Sequence, residues 1–484
     1  MSKVDSIKFR MYNTGSVGDC LLLLFMKADT ISFSMLIDCG GWLTTPAAIS
    51  GCVKDIQKTC GGNLDLLVVT HQHMDHISGF NQAKDEFDKI HVKQVWMSWI
   101  EDESDDVAKI LKDRFGKKIK ELKGVANKAL QKINLQKPYG THVRGLGRRL
   151  EQKQLTIENT LSLIGFEEGI MNAAGKAVGR PTNDAAMNYV KGKGKKLDYL
   201  KPGKVISDMK GAEGIKFFIL GPPRDEDMHF FKIDLEEDEM YHLKAAATND
   251  NEPILDHIVD TGIILEDGKS PFDDQYYSNA SVKFSDEQEK KDYSWRGIET
   301  DWLESAAAIA LRATRLTNNT SLAMAIEFED SGRVILLPGD AQSGNWMGWH
   351  KTEVMKELKK NGGKDTEDLL RDTIFYKVGH HGSHNGTASH SGLDFVKSKD
   401  LVAFMPLVQN KVPKEWGGAS NFPAKKLYQV LIEKTRGRLV RTDIGLIADA
   451  KAETERKKLS VREKNAFNKA LKKGANYFEF TIKG

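Results

Sequence analysis

The run Leu64-Asp65-Leu66-Leu67-Val68-Val69-Thr70 passes directly into His71-Gln72-His73-Met74-Asp75-His76. Its first half is short and apolar on both faces over most of its length, which predicts a central strand in a sheet covered on both sides. Its second half sets three histidines and one carboxylate within six residues. A strand-to-helix turn can aim all four inward, His71 and His73 on one side by alternation, Asp75 and His76 from the start of the next helix. Imidazole and carboxylate donors suit Zn²⁺, Mn²⁺ or Fe, and four of them at this spacing can serve two adjacent ions.

Outward from this stretch, Ile7 to Tyr12, Cys20 to Met26 and Ile31 to Asp38 are further β-rich runs divided by Gly and Asp turns. Strand texture returns at Ile215 to Leu220, Ser321 to Phe328, Val334 to Leu337, Ile374 to Val378 and Leu401 to Pro406. Such runs predict a layered α/β architecture. Two of them end in chemistry: Leu336-Leu337-Pro338-Gly339-Asp340 closes a strand with a carboxylate, and Lys377-Val378 opens into Gly379-His380-His381-Gly382-Ser383-His384. With His390, seven of the thirteen histidines fall in two strand-end patches. Donors gathered from the ends of different strands are how open α/β layers build a site.

The chain has 484 residues, 40% hydrophobic and 29% charged, enough for a large core, which excludes collagenous, disordered and disulfide-stapled classes. Lys and Arg (71) nearly balance Asp and Glu (68), so global charge neither favours nor excludes nucleic acid. No secretory signal is read in the first thirty residues, and the longest apolar runs fall short of the roughly 18 residues a membrane span needs. A soluble, cytoplasmic chain without a membrane partner is expected. Cys20, Cys39, Cys52 and Cys60 form no CxxC pair and read as free buried thiols.

Between the strands, Glu101 to Asp106 leads into an amphipathic pattern running from Val107 to Ile133, and a second helical stretch covers Leu155 to Ile170. Lys191 to Lys196 (KGKGKK) reads as an exposed basic loop. A polar, acidic excursion from Arg224 to Thr300 ends in a helix with Trp302 and Ala306 to Ala310, and the Lys-rich tail from Lys451 predicts a charged helix before a strand at Tyr477 to Ile482.

The HxHxDH run at His71 to His76, the Gly339-Asp340 step and the strand-end His380 resemble the metallo-β-lactamase superfamily. Ile37-Asp38-Cys39-Gly40-Gly41 is similar to its first motif. More narrowly, Val17-Gly18-Asp19, Asn318-Asn319-Thr320-Ser321-Leu322 and the HHGS at His380 to Ser383 resemble the soluble hydrolase domain of ComEC-type DNA-uptake proteins. The resemblance implies a four-layer αββα sandwich with two large, mainly helical or irregular insertions. It divides the chain into a first core half (1–100), a helical insertion (101–199), core strands (200–223), a second insertion (224–312), a second core half (313–450) and a charged tail (451–484).

Carried over residue by residue, the resemblance implies two divalent ions, Zn²⁺ or Mn²⁺. His71 and His73 would hold the first, Asp75, His76 and His380 the second, and Asp340 would bridge them, with Asp38 bracing from behind. His380 is preferred to His381 because the strand-terminal histidine of similar motifs is the usual ligand. Asn318 and Asn319 stand where many members carry a further histidine for the first ion, which leaves that side poor in donors. The implied mechanism is hydrolysis by a metal-activated water, its pKa lowered from about 15.7 to about 7. Asp75 would accept a proton, while His381, Ser383 and His384 would face the substrate or help the leaving group; a polar loop that merely closes the site is the bland reading of Ser383, His384 and Asn385.

A phosphodiesterase or nuclease is the favoured expectation, with nucleic acid or another phosphodiester as partner. The alternatives are an acyl, lactone, lactam or thioester hydrolase, and a metal-bound module without catalysis. Lys191, Lys193, Lys195 and Lys196, with Arg144, Arg148 and Arg149, either attract a phosphate backbone or form a solvated surface. Trp346 and Trp349 read as core rather than as base-stacking platforms.

Overall fold

The computed structural model describes residues 2–113, 182–224, 240, 316–416 and 418–484. The helix expected at Leu155 to Ile170, the Arg144, Arg148 and Arg149 group and the Trp302 helix lie outside the described residues, as does the amphipathic pattern beyond 113.

In chain order the strands are β1 (Ser6–Tyr12), β2 (Cys20–Lys27), β3 (Thr30–Cys39), β4 (Asn63–Val69), β5 (His91–Ser98), β6 (Gly194–Leu200), β7 (Val205–Ile206) and β8 (Ile215–Gly221). There follow β9 (Ala323–Phe328), β10 (Val334–Leu337), β11 (Thr373–Lys377), β12 (Val402–Met405), β13 (Leu439–Arg441), β14 (Gly445–Leu446), β15 (Leu471–Lys473) and β16 (Tyr477–Lys483). They make two eight-stranded sheets, ordered β15-β16-β1-β2-β3-β4-β5-β6 and β14-β13-β12-β11-β10-β9-β8-β7. Strands β3 to β6 are mutually parallel, as are β10 to β13.

Alternation along each strand sorts side chains into layers. Leu66 and Val68 of β4 join Phe9, Phe25, Phe217, Phe375 and Phe404 in the apolar core between the sheets. Leu67 and Val69 point the other way, onto helices α1 (Pro46–Thr59) and α2 (Met74–Gln82) through Val53, Ile56, Ile77 and Phe80. The second sheet is covered on its far face by helices carrying Trp346, Trp349, Leu358, Leu427 and Leu431. The order is therefore helix, sheet, sheet, helix: the expected four-layer sandwich. Trp346 and Trp349 are fully buried, their ring centroids 4.0 Å apart, and pack as core.

The tail follows the expected helix-then-strand order, with helices at Ala450–Lys457 and Val461–Ala470 before β16. β16 pairs with β1, and the pairing is clamped by Arg10, which reaches Glu479 at 2.7 Å and Asp55 of α1 at 2.6 Å. Lys191 to Lys196 differs from the loop expected of it. Lys191 ends a helix at Asn183–Lys191, and Gly194 begins β6, which adds to the edge of the first sheet beside β5. Ala186, Met187 and Val190 supply that helix's buried face, and exposed lysines on an edge strand discourage further pairing.

Candidate metal centre

The active edge is where β4, β10 and β11 finish and β2 begins. β4 ends at Val69 and delivers Thr70 and His71; the next turn enters α2, whose first residues include Asp75 and His76. β10 delivers Asp340, and β11 delivers Lys377, His380 and His381. Asp19 immediately precedes β2. The loops meet closely enough that glycine is required: a Cβ on Gly18 (φ +156°) would lie 2.5 Å from the Asp75 carbonyl oxygen, and one on Gly40 2.5 Å from the Asp75 carbonyl carbon.

One donor atom from each of Asp19, His76, Asp340 and His381 lies within 4.8 Å of the others, and all four residues are buried. The Nε2 atoms of His76 and His381 both face Asp340 Oδ2, at 3.1 and 3.2 Å. Asp75 Oδ2 joins them, 2.9 Å from His381 Nε2 and 3.9 Å from His76 Nε2. Tetrahedral donors around a Zn²⁺-sized ion stand about 3.3 Å apart, so these separations are those of a single coordination shell.

The opposite nitrogen of each ring is fixed from behind. His76 Nδ1 donates to Asp38 Oδ2 at 2.7 Å, and His381 Nδ1 to the Pro406 carbonyl at 2.8 Å, which makes Nε2 the nitrogen that each ring aims inward. Asp38 is itself held by the Thr70 N–H (2.8 Å) and hydroxyl (2.6 Å). His76 Nε2 and Asp75 Oδ1 are buried without a hydrogen-bond partner, an unfavourable state for polar atoms that a cation relieves. The donor set fits a divalent ion.

The electrostatics are those of a site awaiting positive charge. Burial opposes a charged imidazole, yet the Asp340 and Asp75 carboxylates outweigh it and push His381 up to about 10. His76 is likewise raised despite its burial, by Asp340, Asp75, Asp19 and Asp38. Burial works against ionised Asp340 as well, but His76, His381 and Lys377 hold its carboxyl well below the usual range.

His71 and His73 form the neighbouring half. His71 Nε2 lies 3.0 Å from His73 Nδ1, while His71 Nδ1 is within reach of the Thr70 hydroxyl (3.0 Å) and the Ser321 hydroxyl (3.2 Å). Burial, with His76 and His73 close by, keeps His71 well below the ordinary histidine range.

The place expected for His380 is held by His381. Both residues adopt left-handed backbone (φ 45° and 52°), and this double turn reverses which ring enters the centre. The His380 N–H donates to Asp340 Oδ1 at 3.1 Å, while its ring turns to Asn318 (3.3 Å), Gln342 (3.2 Å) and Asn385 (3.1 Å). Ser383 donates to Asn385 Oδ1 at 2.9 Å, and half-buried His384 follows on the same turn. Asn319 braces the segment after Asp340, its side-chain oxygen accepting from the Gln342 and Asn345 N–H groups.

The lysines of the KGKGKK stretch are not gathered here. Gly194 lies opposite Val92 and Lys196 opposite Gln94, near the start of β5 and thus at the far end of the parallel strands. Lys191 pairs with Glu103 (2.7 Å) and Lys196 with Asp198 (3.0 Å), Lys193 approaches Asp88 (3.8 Å), and Lys195 lies beside them on β6. Two residues of the centre were not singled out in the sequence, Asp19 and Lys377, although each stands in a stretch quoted for its neighbours. A charged residue at the boundary of an otherwise apolar β-run was the available signal.

These donors come from a strand-end HxHxDH turn and from the second sheet, between two sheets with helices outside. Residues 30–142 match the family model of the Metallo-beta-lactamase superfamily. The matched stretch contains β3, β4, α2 and β5, so the metallo-β-lactamase match covers the His71 to His76 turn and Asp38, while Asp340 and His381 are brought to it by the fold. No curated protein matches the chain. The match over residues 30–142 and the buried His/Asp cluster together support a metal-dependent hydrolase. Among the described residues, no helix is long and apolar enough to cross a membrane.

Proposed function

We propose that this chain is a metal-dependent phosphodiesterase, with nucleic acid among its candidate substrates. The observation that carries the hydrolytic part is the convergence of His76 Nε2, His381 Nε2, Asp340 Oδ2 and Asp75 Oδ2, two of these residues bearing buried atoms without a partner. When bound, a divalent cation supplies a water ionisable near neutral pH and neutralises charge developing on a phosphoryl oxygen. The protein's own groups do the rest. Asp38 and the Pro406 carbonyl hold the two imidazoles in the tautomer that presents Nε2. Asp75 Oδ1 takes the proton of the attacking water. His380, Asn318 and Gln342 form a neutral, hydrogen-bonding group beside the centre that suits the oxygens of a phosphodiester, burial holding the His380 ring down at about 4. The HHGS run and Asn318, which resemble the DNA-processing branch of the superfamily, favour phosphodiesters over acyl substrates.

The test is a panel with Zn²⁺, Mn²⁺ and Mg²⁺. Bis-p-nitrophenyl phosphate or single-stranded DNA should turn over and cease to do so in His381→Ala, while nitrocefin, lactones and thioesters should not react. Bound metal with every phosphoester left intact would overturn the reading.

A further inference from the structure

Lys377 closes β11 with its ammonium inside the centre, and the hydrolytic role above makes no use of it. It is 1% exposed, and Nζ lies 2.5 Å from Asp19 Oδ2, 3.1 Å from Asp340 Oδ1 and 2.9 Å from the Gly339 carbonyl oxygen. Two of its donors are hydrogen-bonded, to Asp340 and to Gly339, and Asp19 faces the ammonium as an ion pair. Two buried carboxylates, Asp19 and Asp340, face the ammonium at these distances and balance its charge.

Two further observations make the centre unequal. Asp340 has its oxygens divided: Oδ1 accepts from Lys377 and from the His380 N–H, and Oδ2 alone faces His76 and His381. On the other side, His71 Nε2 and His73 Nδ1 stand 3.0 Å apart, the spacing of two donors to one ion, and the amide nitrogen of Asn318 turns to His380. Among the described residues, the group of acidic and imidazole donors close enough to share one ion is Asp19, His76, Asp340 and His381, with Asp75, His71 and His73 outside it. Asp19 lies behind the two rings, nearest their Nδ1 atoms at 3.8 and 3.7 Å, where it anchors Lys377.

We propose that Lys377 serves as the second cation of this centre. One divalent ion binds tightly at Asp75, His76, Asp340 and His381, and the lysine ammonium, held by Asp19, occupies the other oxygen of Asp340, so that an ion at His71 and His73 binds far more weakly. This rests on the metal-dependent reading above but not on the substrate. Lys377 is a positioning residue, acting on metal number through Asp340.

The full chain, stripped of metal with a chelator, is titrated with Mn²⁺. Bound ions are counted after equilibrium dialysis, and electron paramagnetic resonance distinguishes isolated from exchange-coupled Mn²⁺. The wild type should bind one ion tightly with the six-line signal of an isolated Mn²⁺, and a second at least about 100-fold more weakly, as expected for a fixed unit charge a few ångströms away. Lys377→Met and Lys377→Gln should strengthen the second ion at least about tenfold and give a coupled spectrum, while Lys377→Arg keeps the wild-type pattern. Two ions of equal affinity in the wild type would overturn the proposal, as would folded Lys377→Met or Lys377→Gln with the second affinity unchanged. Should the lysine variants not fold, His73→Ala decides: retention of the tight ion supports the proposal and its loss overturns it. A wild type that binds no ion overturns the hydrolase reading itself, whereas two equal ions leave that reading standing.

Discussion

Raising the pH should tighten metal binding steeply, because the donors that face the ion hold protons without it. In the metal-free protein, burial disfavours the His381 imidazolium but Asp340 and Asp75 overcome this and lift its pKa to about 10. An incoming cation must displace that proton, so below about pH 10 apparent affinity rises about tenfold per pH unit, about 1.4 kcal/mol each. From pH 6.5 to 8.5 this amounts to about 100-fold from His381 alone. His76, also raised, adds to the slope wherever it too is protonated. The stability of the metal-free protein runs the opposite way: a histidine raised from 6.5 to about 10 stabilises the fold fully below pH 6.5, and the contribution is lost as pH climbs through about 10. Competition with a chromophoric chelator between pH 6.5 and 8.5 measures the dissociation constant, and a weakly buffered titration counts released protons. An affinity flat across that range, with no proton released, would refute the reasoning.

Asp38→Asn should keep the hydrogen bond from the Thr70 N–H yet lose the charged oxygen that accepts from His76 Nδ1 and the Thr70 hydroxyl, weakening metal about 10- to 100-fold by the same chelator competition while the fold persists by circular dichroism. Gly40→Ala forces a methyl into the Asp75 backbone; it should cost about 1–3 kcal/mol or more in urea denaturation and lower metal occupancy. Glu479→Gln leaves buried Arg10 short of one carboxylate and should lower stability by up to about 3–5 kcal/mol, read in the same urea curves, without changing metal affinity. Replacing Lys191, Lys193 and Lys196 together by alanine should leave both phosphodiester turnover and its salt dependence unchanged, since these side chains sit at the other end of the strands; a reduced salt slope would show that substrate reaches them.

The parts of this fold legible in the sequence are those written in contiguous residues. The Leu64 to Thr70 run is apolar on both faces because helices and a second sheet cover it, and the histidines follow within the same turn, so strand, layer and donor cluster are read together. Asp340 could be placed beside them because it ends its own apolar strand. The choice between His380 and His381 is written elsewhere. It depends on a left-handed turn permitted by close packing, where a Cβ on Gly379 would sit 2.4 Å from the Gly386 carbonyl oxygen. Lys377 and Asp19 escaped notice because a buried charge has meaning only with its partner, and theirs lies on the other sheet. Gly194 to Lys196 has the composition of a loop, yet becomes strand through pairing with β5.

The most direct test of the central claim is anomalous diffraction from crystals of the full chain grown with Mn²⁺ or Zn²⁺. The account predicts a strong peak about 2.0–2.2 Å from His76 Nε2, His381 Nε2, Asp340 and Asp75. A peak coordinated by His380 in place of His381, or none among these side chains, would contradict it.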